Sequence, residues 1–422
     1  MKSERKNISN SIENATIQHL AKLIKTQKVS PVKVVDACLK RIEALNPKLN
    51  AFITVLADQA REQARTAEAQ IKAGKWRGPL HGIPVGIKDF YDTAGVKTTA
   101  AFERFKDRVP AKDAVGVSKL KRAGAIIIGK TNMHALGMGT TGLDSYFGTV
   151  QNPWNAEYIP GGSSSGSAAA VASGMCYATL DTDAIGSVRL PAACCGVVGF
   201  KGTYGLISPK GILEGEEPPD EMILWLNHPG ITTRSVHDTA IVLNVLAERE
   251  RNDNLTTADF VRALARNRKL RMGVANNFKA DKEVKAAFEK AVETIRGFGY
   301  SMNSVPTPFG DPNGGISNIE ADRKNITSRA FKDVDVLLLP TTTTTVPTIK
   351  AAGDNPQALS PENTAFANYY GLPAISVLCG FDANGLPLGS QIVGKPWGET
   401  AVLRLAHQYQ AATEYSNKHP TE

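Results

Sequence analysis

Apolar residues recur at helical spacing through the first 75 positions, then change to short unbroken runs separated by glycine. Ser30 followed by Pro31 supplies an N-cap and a first-turn proline. Val35, Cys38, Ile42 and Leu45 then share one face, and Asn46-Pro47 predicts the helix end. A second helix, rich in Ala and Gln, is expected over 56–71. Positions 1–75 therefore read as helical packing or interface elements with no obvious chemistry.

Positions 76–205 alternate short apolar runs with Gly-rich turns. Buried strands are predicted at 83–87 and 125–128, with a helix over Val115–Arg122 between them. This strand–helix–strand alternation argues for an α/β fold. Further strands are expected at 334–339 and 373–379, and a C-terminal helix at 399–412. Loops are expected at 305–320, rich in Pro, Gly and Asn, and at 350–362. No repeat and no linker divides the chain. The prediction is one domain built on a large mixed β-sheet sandwiched by helices, with 76–205 carrying the chemistry and 206–422 completing the sheet.

Composition narrows the function classes. The 422 residues are 42% hydrophobic and 21% charged, which allows a large core and argues against disorder. The net charge of +8 is spread along the chain without a Lys/Arg block, so nucleic acid is not an expected partner. Five cysteines form no C-x-x-C pair, which gives neither a zinc ribbon nor a redox motif and suits a reducing compartment. Cys194 and Cys195 read as small core residues. Positions 1–10 lack the apolar stretch of a signal peptide, and the apolar run 168–180 is too short to span a bilayer. A cytoplasmic protein with no membrane contact, no metal and no cofactor is expected.

Two motifs invite assignments that their context opposes. Gly124 to Thr131 matches G-x-x-x-x-G-K-T, but three consecutive isoleucines are stiff and strand-forming where a phosphate loop needs permissive backbone. A strand followed by a turn is expected instead. Gly162 to Gly166 matches the G-x-S-x-G elbow, but Tyr158-Ile159-Pro160-Gly161 cannot supply the strand that must lead into it. His407 and His419 sit in unsuitable context as partners, and His81 and His134 read as structural. What remains is a density of glycine and hydroxyl residues between Gly161 and Gly205. Ala168 to Ala172 is a strong helix former and 190–200 is apolar, so the stretch reads as ordered core with hydroxyls pinned inside it.

At this point the sequence resembles the amidase-signature hydrolases. The resemblance rests on Gly161-Gly162-Ser163-Ser164-Ser165-Gly166-Ser167, on Asp183 through Arg189, and on Pro191-Ala192-Ala193-Cys194-Cys195-Gly196. Leu80-His81-Gly82-Ile83-Pro84-Val85-Gly86-Ile87-Lys88-Asp89, Gly129-Lys130-Thr131-Asn132-Met133 and Asn152-Pro153-Trp154 add to it. Near the C-terminus, Gly371 to Ile375 and Gly385 to Gly389 resemble the family's closing strands. The resemblance implies a Ser–Ser–Lys triad, with Ser187 as nucleophile, Ser163 as bridging serine in a cis peptide, and Lys88 as base. It further implies an oxyanion hole made by the N–H groups of Ala184, Ile185, Gly186 and Ser187. Met138, Gly139 and Ile185 are the candidate substrate-binding residues.

A serine hydroxyl needs an adjacent base. Lysine can serve only when neutral, so its reference pKa of about 10.4 must fall by about 3 units, at a cost on the order of 4 kcal/mol. Burial at the end of an apolar strand would do this, whereas an ion pair with Asp89 would spoil it. Neighbouring strand residues point to opposite faces, so that pair is not expected.

Two departures from the family stand out. Ile185 occupies a position where the family has Gly, and Ile does not take positive φ cheaply. The region between Val274 and Val334 is shortened by several tens of residues, which would leave the site open to bulky or aryl substrates. The implied function is hydrolysis of a small or aryl amide through a Ser187 acyl-enzyme, by a monomer or homodimer. Cleavage of aryl carbamates and service as the A subunit of a glutamyl-tRNA amidotransferase are the alternatives. A non-catalytic relative is disfavoured because Lys88, Ser163 and Ser187 are all present.

Overall fold

In the computed structural model the described residues are 12–217, 225–248, 259–266, 268–308 and 316–420. Ser30 caps the helix Pro31–Leu49, its side chain accepting from Val32 N–H. This helix does not end at Asn46-Pro47 as expected. It runs on to Leu49 and closes at Asn50, which sits at φ 50° and donates its N–H to the Asn46 carbonyl at 2.8 Å. A proline in the last turn forfeits a single N–H bond, and the Asn46 side-chain amide clasps both backbone groups of Phe52.

That clasp starts a strand missed by the helical reading of the first 75 residues. β1 (Phe52–Val55) pairs antiparallel with β3 (Ile126–Thr131) at the edge of the sheet. Four residues with one buried position are too few for a legible alternation. The helix expected at 56–71 follows as Ala57–Lys72, and Val115–Arg122 is helical as expected.

One sheet of 11 strands organises the described residues, in the order β1-β3-β2-β4-β6-β5-β10-β11-β9-β7-β8. The remaining strands are β2 (Pro84–Lys88), β4 (Ala178–Asp183), β5 (Val198–Lys201), β6 (His228–Thr233), β7 (Arg271–Ala275), β8 (Ser301–Val305), β9 (Val336–Pro340), β10 (Ala374–Phe381) and β11 (Pro387–Gly394). Pairing is parallel at β3-β2-β4 and at β9-β7-β8, and antiparallel elsewhere, so the sheet is mixed. The strands expected at 83–87, 125–128, 334–339 and 373–379 are β2, β3, β9 and β10. The C-terminal helix is Glu399–Ala411.

The G-x-x-x-x-G-K-T stretch is no phosphate loop: β3 continues through Gly129 and Lys130 to Thr131, with no turn after the isoleucines. The loop at 305–320 begins at the end of β8 and ends where the helix Ile319–Ala330 starts, and 309–315 lie outside the described residues. The loop at 350–362 opens on the end of a short helix, Ile349–Ala352. The N-terminal reading of 1–10 also lies outside the described residues.

The helix Ser165–Ala172 is buried along its whole length and packs on β2, β4 and β6. Its run of Ala, Ser and Gly lets backbone approach backbone, and this seats the serine segment just before it against the sheet. β2, β3 and β4 are parallel, so their carboxyl ends open on the same side, where an α/β sheet presents its site. Among the described residues no helix is long and apolar enough to cross a membrane.

Candidate active site

Lys88 is the last residue of β2 and is fully buried. Its Nζ lies 2.7 Å from Ser163 Oγ, 3.0 Å from Ser164 Oγ and 2.9 Å from Thr182 Oγ1. These partners are hydroxyls, and among the described residues no carboxylate touches the amine. Asp89 turns to the other face, where it accepts from Thr99 N–H at 2.9 Å and from the Thr99 hydroxyl, and stands 3.3 Å from Lys130 Nζ. Strand alternation thus separates the two neighbours. Burial pushes the Lys88 ammonium down to about 7, against the more distant pull of Asp181 and Asp183.

Ser163 follows a cis peptide bond from Gly162 and is buried. Its carbonyl accepts from His134 N–H at 3.0 Å, which ties the serine segment to the turn after β3. Ser164 N–H donates to the Ser187 carbonyl at 3.1 Å. The structure therefore gathers Lys88, Ser163 and the buried Ser187 from three separate segments at the carboxyl ends of β2 and β4.

The turn after β4 is built backward from Arg189. Its guanidinium binds the Asp183 carboxylate through Nε at 3.0 Å and Nη2 at 2.9 Å. It also donates to the Thr364 carbonyl at 3.0 Å, Gln391 Oε1 at 2.5 Å and Asn368 Oδ1 at 2.6 Å. Burial by itself would raise the Asp183 carboxyl, but the bidentate Arg189 holds it well below the usual carboxylate range. Asp183 also accepts from Val188 N–H at 3.1 Å, which closes the turn around Ser187.

Three carbonyls of this turn are tied outward. Asp183 O accepts from Asn368 Nδ2 at 2.7 Å, Ile185 O from Thr364 Oγ1 at 2.5 Å, and Gly186 O from Leu190 N–H at 2.7 Å. Among the described residues, the N–H groups of Ala184, Ile185, Gly186 and Ser187 have no protein acceptor. The turn thus presents unpaired donors beside Ser187, and a small anion is what such donors bind. Gly186 sits at φ 139°, and a Cβ there would stand 2.4 Å from Thr364 Oγ1. Ile185 is not among the positive-φ residues, so the glycine geometry belongs to position 186 and Ile at 185 fits without strain. Ala184 and Ile185 are half-buried.

The other candidates are placed less centrally. Gly139 is buried, and a Cβ on it would fall 2.2 Å from the His134 ring. Met138 is 45% exposed on the same turn, which passes close to Ser163 at Gly137. His134 is buried with its Nε2 3.9 Å from the Asp144 carboxylate, and burial keeps its ring below the ordinary histidine value. His81 Nδ1 accepts from Arg77 N–H, and His407 packs on His237. None of these rings is a partner of Lys88 or Ser163. The five cysteines are buried and free. No group of three or more His, Cys, Asp or Glu among the described residues could hold a metal ion.

Asp181, Thr182, Thr364, Asn368 and Gln391 were missed by sequence reasoning. The first two carried a signal, because β4 ends on Asp181-Thr182-Asp183, a polar run in a strand buried at every position. The last three lie some 180 to 200 residues from the turn they hold, and nothing local marks them.

The sequence matches the family model described as Amidase over residues 33–321 and 316–403. It is 33% identical to the A subunit of the glutamyl-tRNA(Gln) amidotransferase from Geobacter metallireducens, across 95% of this chain and 97% of that protein. That alignment spans 480 positions, so the relative carries segments that this 422-residue chain lacks. Among solved structures, a 6-aminohexanoate cyclic dimer hydrolase superposes with a TM-score of 0.85 at 26% identity, covering 97% of this chain and 99% of that one. The A subunit of the glutamyl-tRNA(Gln) amidotransferase from Thermotoga maritima gives a TM-score of 0.76 at 29% identity, with 94% of each chain covered.

Proposed function

The chain belongs to the Amidase family, whose members named above act on C–N bonds, and from that premise we propose that it cleaves a carboxamide through an acyl-enzyme on Ser187. The observation that carries this is the fully buried Lys88 amine, 2.7 Å from Ser163 Oγ and, among the described residues, touched by no carboxylate. Ser187 Oγ attacks the acyl carbon and passes its proton to Ser163, which passes its own to neutral Lys88. The oxyanion that forms lies against the N–H groups of the 184–187 turn. Collapse breaks the C–N bond, and the proton returns from Lys88 through Ser163 to the departing nitrogen, which leaves as a neutral amine or ammonia. Water then repeats the sequence and frees the acid. Ser187→Ala should lower kcat/KM by a factor on the order of 10³ or more and abolish labelling by a fluorophosphonate. Labelling that survives in Ser187→Ala would refute the assignment.

For the substrate, the sequence relatives favour the side-chain amide of glutamine, with this chain as the A subunit of a glutamyl-tRNA amidotransferase. That reading brings cytoplasmic partner subunits and an indirect nucleic-acid partner, neither of which the scattered charge suggests. A second reading, a stand-alone hydrolase of small or aryl amides, is favoured by the closer superposition on the cyclic dimer hydrolase and by the shorter chain. Here Met138, Gly139 and Ile185 line the acyl or leaving-group side, and a single domain suffices. Aryl carbamates share the acyl carbon bonded to nitrogen, but no similar protein named above supports them as substrates. Glutamine, anilides and aryl carbamates assayed with the purified chain alone separate the readings. Anilide turnover without partners supports the second; glutamine hydrolysis that appears only with amidotransferase partners supports the first.

A further inference from the structure

The N–H groups of the 184–187 turn are aimed by whatever holds the carbonyls behind them. A trans peptide plane carries its C=O and the following N–H in opposite directions, so a carbonyl tied outward turns that N–H inward. Among the described residues the cis bond is Gly162-Ser163, and the peptides of this turn are trans. The Gly186 carbonyl is held from within the same segment, by Leu190 N–H at 2.7 Å. The carbonyls of Asp183 and Ile185 are held from far along the chain, by the helix Ala365–Tyr369 and its N-cap Thr364.

Thr364 is fully buried, and its Oγ1 lies 2.5 Å from the Ile185 carbonyl and 3.0 Å from the Pro361 carbonyl. A hydroxyl has a single proton to give. The Pro361 carbonyl already accepts from Thr364 N–H at 2.8 Å and Ala365 N–H at 2.9 Å, so the shorter contact to Ile185 takes that proton. Gly186 makes the approach possible, because a Cβ there would stand 2.4 Å from the same oxygen. One helical turn on, Asn368 is fully buried and donates Nδ2 to the Asp183 carbonyl at 2.7 Å. Its Oδ1 accepts from Arg189 Nη2 at 2.6 Å, and a guanidinium can only donate, which fixes the orientation of the amide. The short helix is itself fastened to Ile319–Ala330: Arg323 donates to the Tyr369 carbonyl at 2.8 Å, and Tyr369 Oη donates to Asp322 Oδ2 at 2.7 Å.

We propose that Thr364 and Asn368 are positioning residues for the oxyanion hole: by holding the carbonyls behind them, Thr364 aims the Gly186 N–H and Asn368 aims the Ala184 N–H at the acyl oxygen. The inference rests on the acyl-enzyme reading above. A hydrogen bond weakens steeply as its donor swings off line, so a donor fixed in advance stabilises the developing charge where a loose one does not. Packing is served by the methyl of Thr364 and aiming by its hydroxyl, so substitution separates the two.

The test pairs Thr364→Val, which keeps the shape and loses the hydroxyl, with Thr364→Ser, which keeps the hydroxyl. In Thr364→Val, kcat for amide hydrolysis should fall about 10-fold or more, part of the roughly 10²–10³ that loss of an oxyanion donor costs. KM should stay within about twofold, because the ground-state carbonyl gains little from the hole, and Thr364→Ser should restore kcat. Affinity for a trifluoromethyl ketone, which binds as a tetrahedral oxyanion on Ser187, should fall by the same factor as kcat/KM. An unchanged kcat, a change confined to KM, or an unchanged ketone affinity in Thr364→Val would overturn the inference. If Thr364→Val does not fold, magnetic resonance on the unsubstituted chain decides. Isoleucine labelled at the carbonyl carbon with glycine labelled at nitrogen marks two peptides, 128–129 and 185–186. Ketone addition should move the Gly186 N–H resonance downfield and leave that of Gly129 in place; a Gly186 resonance that stays put overturns the inference. An unchanged kcat in Thr364→Val, with labelling abolished in Ser187→Ala, sinks this inference alone. Labelling that persists in Ser187→Ala sinks the acyl-enzyme reading and this inference with it.

Discussion

Lys88 and Lys130 sit at the same ends of adjacent strands, both fully buried, and differ in what surrounds the amine. Lys130 points to the face where Asp89 stands 3.3 Å away, and also donates to the Tyr91 carbonyl and to Thr98 Oγ1, each at 2.7 Å. Lys88 points to the opposite face and, among the described residues, meets only hydroxyls within 3.0 Å. Burial lowers both ammonium groups, but for Lys130 a carboxylate in contact works against it. The difference teaches how one sheet separates a structural cation from a base. A contacting anion opposes loss of the proton and clamps the two strands' neighbouring segments together, while hydroxyls leave the amine free to give the proton up.

The comparison can be broken by exchanging the roles. Lys88→Met should cost kcat/KM a factor of about 10² to 10⁴, the usual worth of a positioned base, with little loss of thermal stability, because no carboxylate among the described residues loses a contacting cation. Lys130→Met should do the reverse. It strands Asp89 in the core, so denaturant unfolding should show a loss of about 3–5 kcal/mol. Equal stability in the two variants would erase the distinction. A smaller effect sharpens it: Thr182→Val removes one hydroxyl from Lys88, worth about 1 kcal/mol, and should lower kcat several-fold with KM nearly constant. A change confined to KM would place Thr182 on the substrate instead.

Much of this contrast was legible in the strand pattern. The apolar run ending in Lys88-Asp89 fixes the alternation, and alternation alone puts the two side chains on opposite faces. The isoleucines before Lys130 exclude a phosphate loop for the same reason, since β-branched residues make strand. β1 was hidden by its length, and the helix past Pro47 by a side-chain clasp that no local pattern reveals. The Arg189 cage was hidden by distance, because Thr364, Asn368 and Gln391 reach the 183–189 turn only once the antiparallel half of the sheet has formed. The concern over Ile185 dissolves on the backbone: its neighbour Gly186 takes the left-handed geometry.

The central claim is that neutral Lys88 is the base for Ser187. Its most direct test is the pH profile of Ser187 acylation in the unsubstituted chain, in Lys88→Met and in His134→Gln. Neutral amine is the active form, so acylation should rise with pH through a midpoint of about 7. That limb should vanish with the activity in Lys88→Met and stay in place in His134→Gln. A midpoint that survives in Lys88→Met, or moves with His134→Gln, would contradict the account.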